Sequence, residues 1–206
     1  MVATLDELHI AGTGSFALEV AEYALDAGWR VSGLIELMDD ERVGTVIHSL
    51  PVRDGADPGL AVVGAGGDRQ AMWAPLAAKG WQAAIVRHPT AHVSPSARLA
   101  PGCVIAPGAV VGAASDLGEH VLIGRGALVG HHTRLGRGVV LNPGANVAGH
   151  VEVGAGARIG MGAVVADHVG IGVGAVVAAG AVVVRDVPAG ARVQGVPARA
   201  FEPAAS

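Results

Sequence analysis

Two adjacent histidines, His131 and His132, stand in the segment LVGHHTRLG, residues 128–136, among Gly, Ala and Val. A neutral imidazole poised near pH 7 suits general-base work, taking a proton from an amine or hydroxyl as that group attacks an electrophile. His150 and His168 follow His132 at steps of eighteen residues. Three histidines at a fixed step invite a metal reading. Ligands about 4.8 Å apart in one line do not converge on one tetrahedral centre, so no metal is expected of this column.

The elements that must hold these rings are legible as a repeat. From Val93 to Pro188 the chain divides into sixteen six-residue units without an insertion. The first position of every unit is Val, Leu or Ile, the second is mostly Gly or Ala, and the fifth is small or β-branched. A period of six fits neither a helix nor simple strand alternation; it fits short strands separated by tight turns, stacked as a solenoid. Three strands would close a triangular coil of eighteen residues. Arg98, Asp116, Arg134 and Glu152 lie eighteen apart and alternate in sign, as an exposed cross-strand ladder would favour, although scattered surface charge would also produce them. In this register His131 and His132 fill the third and fourth positions of their unit, at a corner with outward side chains. The coils adjoining His131 supply Ala113 and Gly149, so its ring should face an open notch.

Composition excludes several classes. The 206 residues are 51% apolar but only 3% aromatic, with 32 glycines, which points to a regular core of aliphatic side chains. One Lys and thirteen Arg are scattered against a net charge of −4, so no nucleic-acid stripe is expected. The longest uncharged run, before Arg185, is too short for a membrane span. With a single cysteine, Cys103, and no secretory leader pattern, a cytoplasmic location is expected. Cys103 falls at an inward fifth position and reads as a small core residue.

In front of the repeat, residues 7–11 read as a strand running into GTGSFALEVAEYALDAG, a glycine turn opening an amphipathic helix that ends at Gly28. Gly12, Gly14 and Ala17 make a G-x-G-x-x-A pattern that lets backbone N–H groups approach a phosphate, or serves only as a turn. A second strand ends at Glu36, whose carboxylate could meet a ribose. A third strand, GLAVVGAG, leads into a helix from Asp68 onward; Asp68 and Arg69 could reach a phosphate or merely cap that helix. This βαβαβ unit is half a dinucleotide fold and suggests a mononucleotide ligand. The expected division is an α/β, small Rossmann-like domain over residues 1–90, an all-β solenoid over 91–188 and a tail over 189–206.

The arrangement GHHT, LNPGANVAGHVEVG, IGMGAVV, GAVVAAGAVVVRDVP and GVPAR behind a glycine-turn α/β unit resembles the left-handed β-helix sugar acetyltransferases, namely the sialic acid O-acetyltransferases and bacterial UDP-4-amino-sugar N-acetyltransferases. The resemblance covers nearly the whole chain. It implies a left-handed parallel β-helix, a homotrimer with sites between neighbouring solenoids, and acetyl transfer from acetyl-CoA to an amino or hydroxyl group of a nucleotide-linked sugar. His131 matches the family's catalytic histidine. Where relatives often carry Asp or Glu next, this chain has His132, leaving a backbone carbonyl, Asn142 or a group from another subunit to orient the ring. Val140, Met161 and Ala179 match the pantetheine path, with Val140 replacing a histidine of some relatives. Backbone N–H groups near Ala148 and Gly149 are the candidates to polarise the thioester carbonyl. Arg199 of GVPAR matches a residue near the cofactor's nucleotide end. Gly14, Ser15 and Phe16 match the sugar-nucleotide turn, and Glu36 and Gly64 match positions lining base and ribose. A carbonic-anhydrase-like metalloenzyme and a non-catalytic trimeric scaffold on the same solenoid are the competing readings.

Overall fold

The computed structural model describes residues 6–201. Its first part is a six-stranded sheet built from β1 (Glu7–Ala11), β2 (Arg30–Ile35), β3 (Val46–Ile47), β4 (Leu50–Arg53), β5 (Leu60–Val63) and β6 (Gln82–Ala83), in the order β3-β4-β2-β1-β5-β6. All neighbours are parallel except the β3–β4 hairpin. Helix α1 (Ser15–Asp26) follows β1, and α2 (Arg69–Ala78) follows β5. The α1 residues Ala17, Val20, Ala21, Tyr23 and Ala24 are buried, at the three-to-four spacing that gives a helix one apolar face. The hairpin and β6 lie outside the βαβαβ expectation. The hairpin turn at His48 and Ser49 has φ of 46° and 66°, a conformation usually announced by Asn or Gly, so the sequence carries no sign of it.

The second part is a β-solenoid. Three parallel sheets begin at Val86–Arg87, His92–Val93 and Arg98–Leu99, and strands pair at a step of eighteen residues, as Val104 does with Val86 and Leu122, until the last coil, where Val176 pairs with Arg192. Pairing starts ahead of Val93, and the repeat does not show it because the unit opening at Arg87 lacks an aliphatic first residue. It continues past Pro188 to Arg192–Gln194, against which Arg199–Ala200 turns back antiparallel.

The core follows the pattern of the units. First-position Ile105, Leu117, Ile123 and Leu141 and fifth-position Ala109, Ala127, Ala145 and Cys103 are fully buried in one continuous cluster. Burial pushes the Cys103 thiol up to about 11, against smaller opposing effects from backbone N–H groups and Arg69. Small second positions are imposed by coil stacking: a Cβ on Gly130 would lie 2.4 Å from the Ala148 carbonyl carbon. Arg98 and Asp116, Asp116 and Arg134, and Arg134 and Glu152 are direct cross-strand partners. Ion pairs form at the first and last of these steps, 2.7 and 3.3 Å. Both are exposed and screened by solvent, so they contribute little to stability.

The two parts share a core. Buried Val20 and Ala24 of α1 cluster with Val86, Val104, Leu122 and Val140 on the first solenoid sheet. No helix among the described residues is long and apolar enough to cross a membrane.

Candidate functional site

His131 and His132 form the turn between Leu128–Val129 of the second sheet and Arg134–Leu135 of the third. The adjoining coils fix that turn. The His132 N–H donates to Ala113 O at 2.8 Å, the His150 N–H donates to His131 O at 3.0 Å, and the buried Thr133 hydroxyl donates to Ala148 O at 2.9 Å. His132, His150 and His168 all adopt left-handed backbone, with φ of 56°, 56° and 59°. That conformation costs an L-residue about 1–2 kcal/mol, and most equivalent turns of the rod use Gly instead.

The rings form one exposed cluster. His132 stacks on His150 with centroids 5.0 Å apart, and His150 on His168 at 4.7 Å. His131 stands perpendicular to His132 and His150, at 5.3 and 5.0 Å. Its Nδ1 lies 3.1 Å from Nδ1 of His132, a separation that requires one nitrogen to donate and the other to accept. His131 rests on Gly149, where a Cβ would approach Nε2 and Cε1 at 3.0 Å; the notch therefore exists and the ring fills it. Desolvation first, and then the neighbouring His168, His132 and His131, lower the His150 pKa below the ordinary imidazole value.

Two expected partners do not reach His131 within the chain. Asn142 lies at a different corner, between the first and second sheets, where its amide donates to Ile159 O at 2.9 Å. The Ala148 N–H is spent on Val165 O at 3.0 Å, because Ala148 directly continues a strand. The Gly149 N–H has no backbone acceptor among the described residues, while its carbonyl accepts from the His168 N–H at 3.2 Å. The role expected of Val140 also needs correction: it is 1% exposed and packed under α1, so its side chain cannot line a cofactor path. Met161 and Ala179 are exposed at the Asn142 corner. Arg199 is exposed on the terminal strand, with its guanidinium donating to Ala198 O at 2.8 Å.

In the first part, Gly12 N donates to Ile35 O and Gly64 N to Ala11 O, both at 2.8 Å, which gathers the carboxyl ends of β1, β2 and β5 around the glycine turn. Gly14 is the N-cap of α1, without a side-chain cap, and Ser15 beside it is exposed. Gly64 allows β5 to cross α1 closely, since a Cβ there would meet Ile10 at 2.5 Å and Ala17 at 2.8 Å. The Glu36 carboxylate accepts from the Thr13 hydroxyl and from the N–H groups of Leu37, Met38 and Asp39. Burial raises its pKa, but these bonds outweigh burial and hold it below the ordinary value. Asp68 caps α2 by accepting from Gln70 and Ala71 N–H.

Arg69 does not reach toward a phosphate. It is fully buried and donates to Val63 O and Ala65 O on one side and to His120 O and Gly102 O on the other. It is a strut between sheet and solenoid that the sequence did not announce.

A cavity of about 280 Å³ between α1 and the solenoid was also unforeseen. Phe16, Glu19, Tyr23, Arg125, Asn142 and Pro143 are among its lining residues. Glu19 is paired with Arg125 and accepts from the Tyr23 hydroxyl. An Arg at a corner position looks like any solvated charge in sequence; only the docking of α1 makes it a wall. Phe16, Asn142, Met161 and Ala179 thus share one edge of the molecule, and His131 occupies another.

The chain is similar along nearly its whole length to solved structures. A histidine-to-asparagine mutant of perosamine N-acetyltransferase from Caulobacter crescentus, in complex with CoA and GDP-perosamine, is 31% identical, with a TM-score of 0.89 and 97% of this chain and 98% of that one covered. The acetyltransferase domain of PglB from Neisseria gonorrhoeae, in complex with acetyl coenzyme A, is 32% identical, with a TM-score of 0.87 over 96% and 100% of the two chains. WeeI from Acinetobacter baumannii shares the fold at 24% identity and a TM-score of 0.85, over 96% and 100% of the chains. No protein-family model and no curated protein sequence matches.

Proposed function

The chain belongs to the β-solenoid, hexapeptide-repeat nucleotide-sugar acetyltransferases, and from that premise we propose that it transfers acetyl from acetyl-CoA to an amino group of a nucleotide-linked sugar, with His131 as general base. The observation that carries this reading is an exposed imidazole in the turn between the second and third sheets, its Nδ1 held 3.1 Å from His132 Nδ1 and its Nε2 edge resting on a glycine. With His131 donating from Nδ1, Nε2 keeps its lone pair. It then takes the acceptor's proton as the amine attacks, and returns a proton to the departing thiolate. Acetyl-CoA supplies the acyl group as a thioester. His132 fills the orienting role that a carboxylate would otherwise serve.

The separation of edges supports a site shared between copies. Phe16, Asn142, Met161 and Ala179 belong to one edge and His131 to another, so a base from one copy meets the acceptor and cofactor surfaces of the next. A homotrimer closes that arrangement with three equal sites. We assign a left-handed coil to the solenoid, a three-part division of the chain in which the solenoid's sheets reach from Val86 to Gln194, past the expected bounds at 90 and 188, and a cytoplasmic setting where acetyl-CoA is available. Exposed Met161 and Ala179 suit an apolar pantetheine contact, with Arg199 as a phosphate partner and the Gly149 N–H as the carbonyl donor. The uncapped α1 N-terminus at Gly14, Ser15 and Phe16, beside Glu36 and Gly64 at the strand ends, suits a nucleotide diphosphate and ribose.

His131→Ala should lower turnover by ~10²–10⁴-fold while leaving acetyl-CoA affinity nearly unchanged. Steady-state kinetics across UDP-, GDP- and dTDP-amino sugars, with calorimetric titration of acetyl-CoA, would check it. Undiminished turnover, or a larger loss in His132→Ala, would refute the assignment of the base.

A further inference from the structure

The His132, His150 and His168 column stacks face to face, and parallel rings in one line do not converge. His131 changes that geometry. It projects from the neighbouring turn position and stands at 87° to both His132 and His150. One ring nitrogen from each of His131, His132 and His150 lies within 4.8 Å of the other two. Two nitrogens bound to one tetrahedral ion at about 2.0–2.1 Å lie roughly 3.4 Å apart, close to the 3.1 Å between Nδ1 of His131 and Nδ1 of His132. The third nitrogen comes into range by side-chain rotation, and all three rings are exposed. Two of the three stand on left-handed backbone, so the rings are held by a stiff turn rather than on a mobile loop.

We infer that His131, His132 and His150 form a binding site for a borderline divalent transition-metal ion of the zinc class, and that occupation of this site switches off acetyl transfer. Three neutral imidazoles with an open fourth position suit Zn²⁺ over Mg²⁺ or Ca²⁺, which prefer oxygen ligands. A metal on Nδ1 of His131 leaves the ring's one proton on Nε2, which then has no lone pair with which to take the acceptor's proton, so bound metal and proton abstraction by His131 are mutually exclusive. The binding site stands on geometry alone; the inhibitory consequence rests on the proposed role of His131.

Zinc binding is measured by calorimetric titration of the chelator-stripped full-length protein, and acetyl transfer is measured with and without zinc, then after added EDTA. One ion per chain is expected, with activity lost on addition and restored by the chelator. His150→Ala, outside the catalytic set, should keep its metal-free activity while zinc affinity falls about tenfold or more and zinc sensitivity falls with it. His48→Ala, which removes an exposed histidine of the first part, should change neither. Absence of binding, or His150→Ala binding like the parent, overturns the site. Binding that depends on His150 but leaves transfer untouched overturns the inhibition. Binding in a protein that acetylates no amino sugar leaves the site standing and removes the functional reading instead.

Discussion

His120 and His132 occupy the same place in their units, the fourth, with the same backbone, φ of 57° and 56°. Their chemistry nevertheless diverges. His120 is 4% exposed, lies 5.0 Å from the Trp73 ring, and has an Nδ1 with no partner among the described residues. Burial first, and then the Arg69 and Arg137 charges opposed by Glu119, lower its pKa to about 4. His132 stands in solvent beside two other imidazoles. The repeat sets the backbone of both, and what docks on each corner decides whether the ring becomes filler or a reactive group. At one corner α2 and the Arg69 strut arrive; at the other nothing among the described residues does, which leaves the rings in solvent.

The strongest test of that contrast removes the strut. Arg69→Ala strands four backbone carbonyls and opens a cavity at the junction, so unfolding free energy should drop by about 3–5 kcal/mol in urea titration. Burial lowers the Arg69 pKa to about 10, still well above neutrality, so the group removed is a cation held by carbonyls alone. A loss below about 1 kcal/mol would mean that the two parts cohere through the apolar cluster without it.

Acid gives a smaller effect of defined sign. The unfolded His120 binds its proton near pH 6.5, whereas the folded ring resists protonation until about 4. The unfolded state therefore holds the extra proton between those values, and stability should fall as pH drops through that window, by up to ~1.4 kcal/mol per unit. His120→Asn should flatten this dependence in urea midpoints. Glu36, whose pKa is lowered, loses its contribution only below the ordinary value of 4.5, whereas His9 and His150, also lowered, add a dependence of the same sign above it, so the difference between the two proteins, and not the slope of either, reports on His120. Identical slopes in the two proteins would contradict the buried, neutral ring.

The same contrast explains what the sequence could disclose. Unit length, the inward first and fifth positions and the pairing of Arg98 with Asp116 are consequences of one local rule repeated, so they are readable from Val93 onward. The outward rings of His131 and His132 follow from their position within the unit. Val140 defeats that reasoning: an alternating strand leaves it outside the rod, and only α1 buries it. Arg69 and Arg125 fail for the same reason, since neither the strut nor the cavity wall exists until the two parts meet. Asn142, eleven residues from His131, lies nearly two sides of the triangle away, so within one chain it does not orient that ring.

The smallest effect is the most discriminating. Glycine at a left-handed turn position relieves about 0.5–1 kcal/mol of strain after its greater unfolded-state entropy is counted. His132→Gly should therefore stabilise the protein slightly, because its exposed ring loses no buried packing. His120→Gly relieves the same strain but gives up the contact with Trp73 and leaves a void, and should destabilise by about 1–3 kcal/mol. Thermal and urea midpoints of the two variants should move in opposite directions. If both rise, the turn conformation outweighs the docking at the junction; if both fall, the imidazole stack at the open corner stabilises the rod, and its rings are structural as well as reactive.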